Sequence, residues 1–298
     1  MSAMTLYLPT ASELELLERL SCVATIDHTF NGRAAYHKLG QGSFGKVLRA
    51  RHEGLEPPFV AVKIIRVKSR GQWAEAVNEL SALARARLDK PPHLMHSLSA
   101  EVCSQTHVDP SRIKRSDPST HVDYAVIMPC VSGGTLAEYA AGQRRPTATT
   151  AGYLLNIATG LISLAKLFPD RPEMQRHNDL KPDNILVDSS GAVVSDLGFV
   201  GKSSDCVAGT KGYICPRLSC SKAGDVFAFG HLGLVLATGN ADTAWLRHQR
   251  PLDLCEADAD QLCRDYEANV FPQMTQTLSA RKLWPALHDL LRQTCAPT

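Results

Sequence analysis

A glycine-rich hexad, Gly40-Gln41-Gly42-Ser43-Phe44-Gly45, lies between two β-forming runs. The run after its last glycine constrains the fold most. In dinucleotide-binding units such a turn opens a helix, whereas here Lys46-Val47-Leu48 starts another strand. A Walker-type loop needs a lysine and then Ser or Thr after its last glycine, and Gly45-Lys46-Val47 does not provide that order. A third β-rich run, Phe59-Val60-Ala61-Val62-Lys63-Ile64-Ile65, completes an antiparallel meander over residues 35–67. Two readings of the hexad remain. One is a plain hairpin turn; the other is a flap whose Gly40, Gly42 and Gly45 let the backbone lie close over a nucleotide.

The pattern then changes period. Trp73, Ala76, Val77, Leu80, Leu83, Ala84 and Leu88 recur every three or four residues as one apolar stripe of a helix, which Pro91-Pro92 terminates. Residues 104–120 are rich in Ser, Asp, Pro, Thr and charge and read as an exposed insertion. Tyr124 to Met128 forms a buried strand, and Pro129 to Gly134 a connector. Helices are expected at Leu136 to Ala141, Tyr153 to Phe168 and Ala223 to Ala237, with short strands at Ile185 to Val187 and Ala192 to Ser195. This order predicts an α+β chain of two lobes, a small antiparallel β lobe with one main helix and a larger, mostly helical lobe. Ahead of them, Ser12 to Leu20 carries leucines at 14, 16, 17 and 20 between acidic positions, the pattern of a short amphipathic helix that packs on the small lobe or engages a partner.

With 298 residues and 44% apolar content the chain can bury a large core. The longest apolar candidate, Ile157 to Phe168, falls short of the roughly 18 residues of a membrane span, so no span is expected. The start, Met-Ser-Ala-Met-Thr, lacks the order of a secretory signal. Nine dispersed cysteines without a Cys-x-x-Cys pair suit a reducing compartment, the cytoplasm or the nucleus. A net charge of +2 gives no argument for nucleic acid as a partner. The basic knot Arg112-Ile113-Lys114-Arg115 reads as solvated loop, with docking or targeting as its other reading.

Lys63 comes directly after Val60-Ala61-Val62, and an ammonium buried in such a strand requires a partner. The next helix offers Glu75 and Glu79, and periodicity alone does not separate them. Further on, His177-Asn178-Asp179-Leu180-Lys181-Pro182-Asp183-Asn184 precedes a short hairpin and then Asp196-Leu197-Gly198. Asp179 can accept a proton from a hydroxyl, and Lys181 can neutralise a transferring phosphoryl group. Asn184 and Asp196 supply the hard oxygen ligands that Mg²⁺ prefers. Together these roles fit phosphoryl transfer, where positioning and charge neutralisation dominate.

On these residues the chain resembles the eukaryotic-type protein kinases over roughly residues 33–298. The resemblance implies ATP and Mg²⁺ as cofactors and a protein as substrate. Gly40-x-Gly42-x-x-Gly45-x-Val47 is similar to the phosphate-covering loop, and Val60-Ala61-Val62-Lys63 to the strand whose lysine holds the α and β phosphates. Family spacing favours Glu79, with Leu83 after it, as the lysine's partner. Asp179 is implied as base, Lys181 as phosphate contact, and Asn184 and Asp196 as metal ligands. Val47 and Ala61 would roof the adenine, Leu186 floor it and Met128 serve as gatekeeper, with Pro129, Cys130 and Val131 as hinge. Leu83, His177 and Leu197 would stack, and Asp225 brace the catalytic loop. The implied limits are an extension over 1–32, a small lobe over 33–128 and a large lobe over 132–298.

Departures from the family pattern carry their own expectations. Asn178 replaces the usual arginine of His-Arg-Asp, which implies weaker dependence on loop phosphorylation or another way of ordering the loop; Ser203 and Ser204 are the phosphosite candidates. Leu197 replaces phenylalanine in Asp-Phe-Gly. Arg217 stands where the glutamate of Ala-Pro-Glu is expected, and the chain stops just before the distant arginine that would pair with it. A truncation, or a divergent large lobe held by other contacts, would account for this. Leu180-Lys181-Pro182 and Gly209-Thr210-Lys211-Gly212-Tyr213 resemble the serine/threonine class, in which Thr210 touches Asp179 and Lys181. Asp183 could favour a basic group ahead of the acceptor. The expectation is therefore a protein serine/threonine kinase, with a regulatory protein as a further partner. The alternatives are a nucleotide-binding pseudokinase acting as a scaffold and, more remotely, a small-molecule phosphotransferase of related fold.

Overall fold

A run of consecutively buried residues from Val60 to Ile65 marks the centre of a β-sheet. The computed structural model describes residues 6–7, 22–24, 26–30, 33–42, 45–52, 59–103, 111, 113–117, 121–141, 147–202, 209–210, 212–215 and 222–238. The chain divides into two units, Met1–Lys90 with Met95–Val131, and Pro91–Leu94 with Ser132–Thr298.

In the first unit, β1 (Leu6–Tyr7), β2 (Cys22–Ala24), β3 (Ile26–Phe30), β4 (Arg33–Gly42), β5 (Gly45–His52), β6 (Phe59–Val67), β7 (Ser99–Cys103) and β8 (Val122–Pro129) make one sheet. Its order is β1-β4-β5-β6-β8-β7, with β2 on β5 and β3 on β4, and its pairings are antiparallel. The meander β4-β5-β6 matches the expectation from sequence. Three short strands before Arg33 were not anticipated, and the helix expected over Ser12 to Leu20 lies outside the described residues. β7 was also unforeseen. Among the described residues of the insertion expected to be exposed, Ile113 is buried, at 7% exposure.

Helix α1 (Arg70–Asp89) starts where the Ser69 hydroxyl accepts from Gln72 N–H. It ends at Lys90, which is left-handed (φ 43°) and donates its N–H to the Ala86 carbonyl. The face it buries differs from the expected stripe: Ala76, Glu79, Ala82, Leu83 and Ala86 are buried, whereas Val77 and Leu88 are 41% and 75% exposed. Small alanines allow close approach of the helix, and a carboxylate joins that face because it neutralises a buried lysine.

The second unit carries α2 (Leu136–Ala140), α3 (Thr147–Leu167), the hairpin β9 (Ile185–Asp188) and β10 (Gly191–Val194), and α4 (Lys222–Thr238). A capping box between Thr135 and Glu138 starts α2. α3 packs against β10 and α4. It begins six residues before the Tyr153 expected from sequence, because Thr147 to Gly152 continue the helix with small residues. At this length Ala148–Leu167, with mean hydropathy 1.3, is long and apolar enough to cross a membrane by composition alone, contrary to the expectation from sequence. Its Leu154, Ile157, Leu164 and Leu167 are buried inside the unit. His93 and Asn156 pin the hairpin to the helix: His93 Nδ1 lies 2.9 Å from the Ala192 carbonyl, and Asn156 Oδ1 accepts from Ala192 N–H at 3.1 Å.

Candidate active site

In the first unit, strand register decides which side chains share a face. Gly40 pairs with Val47, Val47 with Lys63, and Lys63 with Val126; Arg49 pairs with Ala61, and Ala61 with Met128. Directly opposed residues, and those two apart on one strand, lie on the same side of the pleat. Gly40, Val47, Ala61, Lys63 and Met128 therefore line one face. Lys63 Nζ reaches Glu79 Oε1 at 2.5 Å, with the two side chains 10% and 3% exposed. Of the two glutamates left open by periodicity, Glu79 makes this pair.

The glycines of the turn differ in what holds them small. A Cβ on Gly45 would be driven into the Ile64 carbonyl, so backbone packing alone demands glycine there. A Cβ on Gly40 would meet nothing within 4 Å. Gly40 and the adjoining apolar Val47 and Ala61 thus leave room over a face that ends in an ammonium. That combination fits a purine nucleotide and its phosphates. At the end of β8, Cys130 is half-buried with a free thiol; burial pushes its pKa up and the Arg49 charge opposes this.

In the second unit, the acidic residues are held by a continuous polar network. Asp225, on α4, accepts from the N–H groups of His177 (2.7 Å) and Asn178 (2.9 Å). Burial pushes the Asp225 carboxyl pKa up, while these two backbone donors pull it down. The His177 ring works at both nitrogens: Nδ1 accepts from Asp179 N–H at 3.3 Å, and Nε2 donates to the Ser195 carbonyl at 2.8 Å. One buried imidazole therefore ties the residue before Asp196 to Asp179. Ser195 adds its own links, since its N–H and hydroxyl both donate to the Asn184 carbonyl at 2.9 Å.

Asp179 is 4% exposed and its two oxygens are engaged separately. Oδ1 accepts from the Thr210 hydroxyl at 2.7 Å, and Oδ2 from Asn184 Nδ2 at 3.0 Å. Lys181 Nζ donates to Thr210 Oγ1 at 2.7 Å and lies 3.1 Å from Asp179 Oδ2. Asn184 Nδ2 donates a second bond to the Asp179 carbonyl at 2.8 Å, which leaves its amide oxygen as the atom to offer a cation. Asp196, in the left-handed region at φ 57°, adds a carboxylate. Both are hard oxygens of the type Mg²⁺ takes. Among the described residues no group of three or more His, Cys, Asp or Glu is placed to hold a metal ion.

The residues singled out in the sequence thus fall into two sets, one per unit. Lys63, Glu79, Leu83, Gly40, Gly42, Gly45, Val47, Ala61, Met128 and Cys130 belong to the first. Asp179, Lys181, Asp183, Asn184, Leu186, Asp196, Leu197, Thr210, His177 and Asp225 belong to the second. Leu83, His177 and Leu197 are each buried in their own unit, Asp183 is exposed, and Leu186 is half-buried. Ser203, Ser204 and Arg217 lie outside the described residues. Sequence reasoning missed Ser195, whose small polar side chain gave no signal beyond its place before Asp196. It also missed Leu39, 41% exposed beside Gly40, where a bulge shifts the β4-β5 register.

Residues 34–296 match the protein kinase domain family. The chain belongs to that family. A probable LRR receptor-like serine/threonine-protein kinase of Arabidopsis thaliana is 31% identical over 79% of this chain and 24% of its own length. A proline-rich receptor-like protein kinase of the same plant is 27% identical over 83% of this chain and 32% of its own. The cAMP-dependent protein kinase catalytic subunit 2 of Drosophila melanogaster is 28% identical over 69% and 54%. The chain thus spans about a quarter to a third of the length of the plant relatives.

Proposed function

We propose that this chain transfers the γ-phosphoryl group of ATP to serine or threonine hydroxyls of protein substrates, with Asp179 as the base. The observation that carries this reading is the arrangement of Asp179, Thr210 and Lys181, in which one hydroxyl donates to the carboxylate and accepts from the ammonium. It holds a proton acceptor and a cation about 3 Å apart, the pairing required where a hydroxyl loses a proton as it attacks a phosphoryl group.

In this reading Asp179 takes the proton of the incoming hydroxyl, and Lys181 faces the charge that develops on the transferring group. Asn184 keeps the Asp179 carboxylate from rotating and, with Asp196, would hold Mg²⁺. Gly40, Val47, Ala61, Met128 and the 129–131 segment would bind the nucleotide, with Lys63 on its phosphates and Glu79 holding Lys63. Bound MgATP supplies the phosphoryl group and neutralises its phosphates. The serine/threonine assignment rests on Lys181 and Thr210, and the exposed Asp183 favours substrates with a basic residue ahead of the acceptor. The cytoplasm or nucleus remains the expected compartment.

Phosphoamino-acid analysis of a generic basic protein incubated with the chain and MgATP tests the assignment. Phosphoserine or phosphothreonine is the expected product. Phosphotyrosine would contradict the acceptor class, and nucleotide binding without any transfer would favour the scaffold reading.

A further inference from the structure

Tyr124 lies beside the Lys63–Glu79 pair but takes no part in it. β6 and β8 pair Lys63 with Val126 and Ile65 with Tyr124, so Tyr124 is the diagonal neighbour of Lys63 on the same side of the pleat. Such neighbours have Cα atoms about 7–8 Å apart, within reach of aromatic and long side chains. α1 packs against β6 on that side, through Glu79. Tyr124 is 2% exposed, and among the described residues its hydroxyl has no hydrogen-bond partner. A phenol buried in this way loses its water and gains no bond in return. Burial, and then the Glu79 and Glu75 charges, push its pKa up, so the hydroxyl stays a donor at neutral pH.

Glu79 is the carboxylate that this donor can serve. Glu75 and Glu79 stand one turn apart on α1, but Glu79 is buried whereas Glu75 is half-buried. A carboxylate offers about four lone-pair sites, so Glu79 can accept from Tyr124 while it still holds Lys63. Where Lys63 also takes the phosphates of a nucleotide, its charge is divided between those oxygens and Glu79. A buried carboxylate that loses part of its counter-charge is costly unless another donor reaches it. We propose that Tyr124 is a positioning residue whose hydroxyl donates to the Glu79 carboxylate once Lys63 engages phosphates, and so keeps Glu79 and Lys63 in place. One hydrogen bond then satisfies a buried donor and a buried acceptor together. This rests on the nucleotide-binding part of the reading given above.

The test compares the full chain with Tyr124→Phe, which keeps the ring and deletes the hydroxyl. Affinities for MgATP and for adenosine are read by calorimetric titration, and nucleotide-free stability by urea unfolding. Without nucleotide the hydroxyl has no partner, so the variant should unfold at the urea concentration of wild type or above it. It should bind adenosine, which lacks phosphates, as wild type does, but MgATP about tenfold more weakly, the scale of one lost hydrogen bond to a charged group. In wild type labelled with ¹³C at tyrosine Cζ, the resonance missing from Tyr124→Phe should shift on adding MgADP and stay in place on adding adenosine. Equal MgATP affinity in the variant, or a Tyr124 resonance that ignores MgADP, would overturn the proposal. So would equal losses for MgATP and adenosine, the mark of plain packing, or earlier unfolding of the nucleotide-free variant, the mark of a hydroxyl already bonded. Wild type that binds no MgATP would contradict the nucleotide reading itself, and this role for Tyr124 with it.

Discussion

Glu79 meets Lys63 from the buried face of a helix that turns Val77 and Leu88 outward: the pair is 2.5 Å apart and nearly dry, while Leu88 is 75% exposed. A helix that buries an acid and exposes a leucine is organised around the charge pair. Removing one partner of such a pair leaves the other charge buried and costs about 3–5 kcal/mol, whereas replacing both with apolar groups of similar size is often nearly neutral. Glu79→Leu and Lys63→Met should therefore each destabilise the chain strongly in urea unfolding. The double variant should regain most of the loss without regaining transfer. Additive losses in the double variant would show that the pair does not organise the helix.

The two ends of the glycine turn should respond differently to a methyl group. Gly45→Ala pushes a Cβ into the Ile64 carbonyl, and strain of this kind costs about 1–3 kcal/mol. Gly40→Ala meets open space and should melt at the wild-type temperature, yet bind ATP more weakly because the methyl enters the face that takes the nucleotide. Equal affinity in Gly40→Ala, read by calorimetric titration, would remove the reason for glycine at that position.

Much of this was legible in the sequence because it rests on local order. Lys63 in its strand, the meander and the spacing from His177 to Asp196 all read directly. The buried face of α1 did not, because hydrophobic periodicity cannot register that Glu79 is drawn inward by a lysine sixteen positions earlier in the chain. β7 was missed because Ser99 to Cys103 has little strand character of its own and is formed by pairing with β8. Ser195 and Asn178 were underread for the same reason: their partners, Asn184 and Phe199, are set by tertiary structure.

Thr210 joins Asp179 to Lys181 through a single hydroxyl. Thr210→Val keeps the shape and deletes both bonds, so kcat should fall about 10²-fold, the usual scale for a misplaced catalytic group. Thr210→Ser should retain most activity. Equal losses in the two variants would point to packing rather than to the hydroxyl.

His231, on α4, is buried against Phe227 (ring centres 4.6 Å apart) and Tyr213 (6.0 Å). Burial lowers its pKa from 6.5 to about 3. The unfolded chain therefore binds a proton below pH 6.5 that the folded chain refuses until about pH 3, so this contribution to stability is present above pH 6.5 and is lost as pH falls through that window. Asp225, with its carboxyl pushed up, acts in the opposite sense. The stability advantage of wild type over His231→Phe should thus shrink as pH drops from 7.5 towards 5, measured by urea unfolding. Parallel pH profiles would show that His231 titrates normally in the folded chain.

The most direct test of the central claim is Mg²⁺-dependent transfer of labelled γ-phosphate to a protein substrate, measured for wild type and Asp179→Asn side by side. Asparagine keeps the size of the side chain but cannot accept the proton, and loss of a general base costs typically about 10²–10⁴-fold. Wild type should transfer phosphate to serine or threonine, and the variant should fall by that amount at unchanged ATP affinity. Equal transfer by both proteins, or ATP binding with no transfer by either, would contradict the claim.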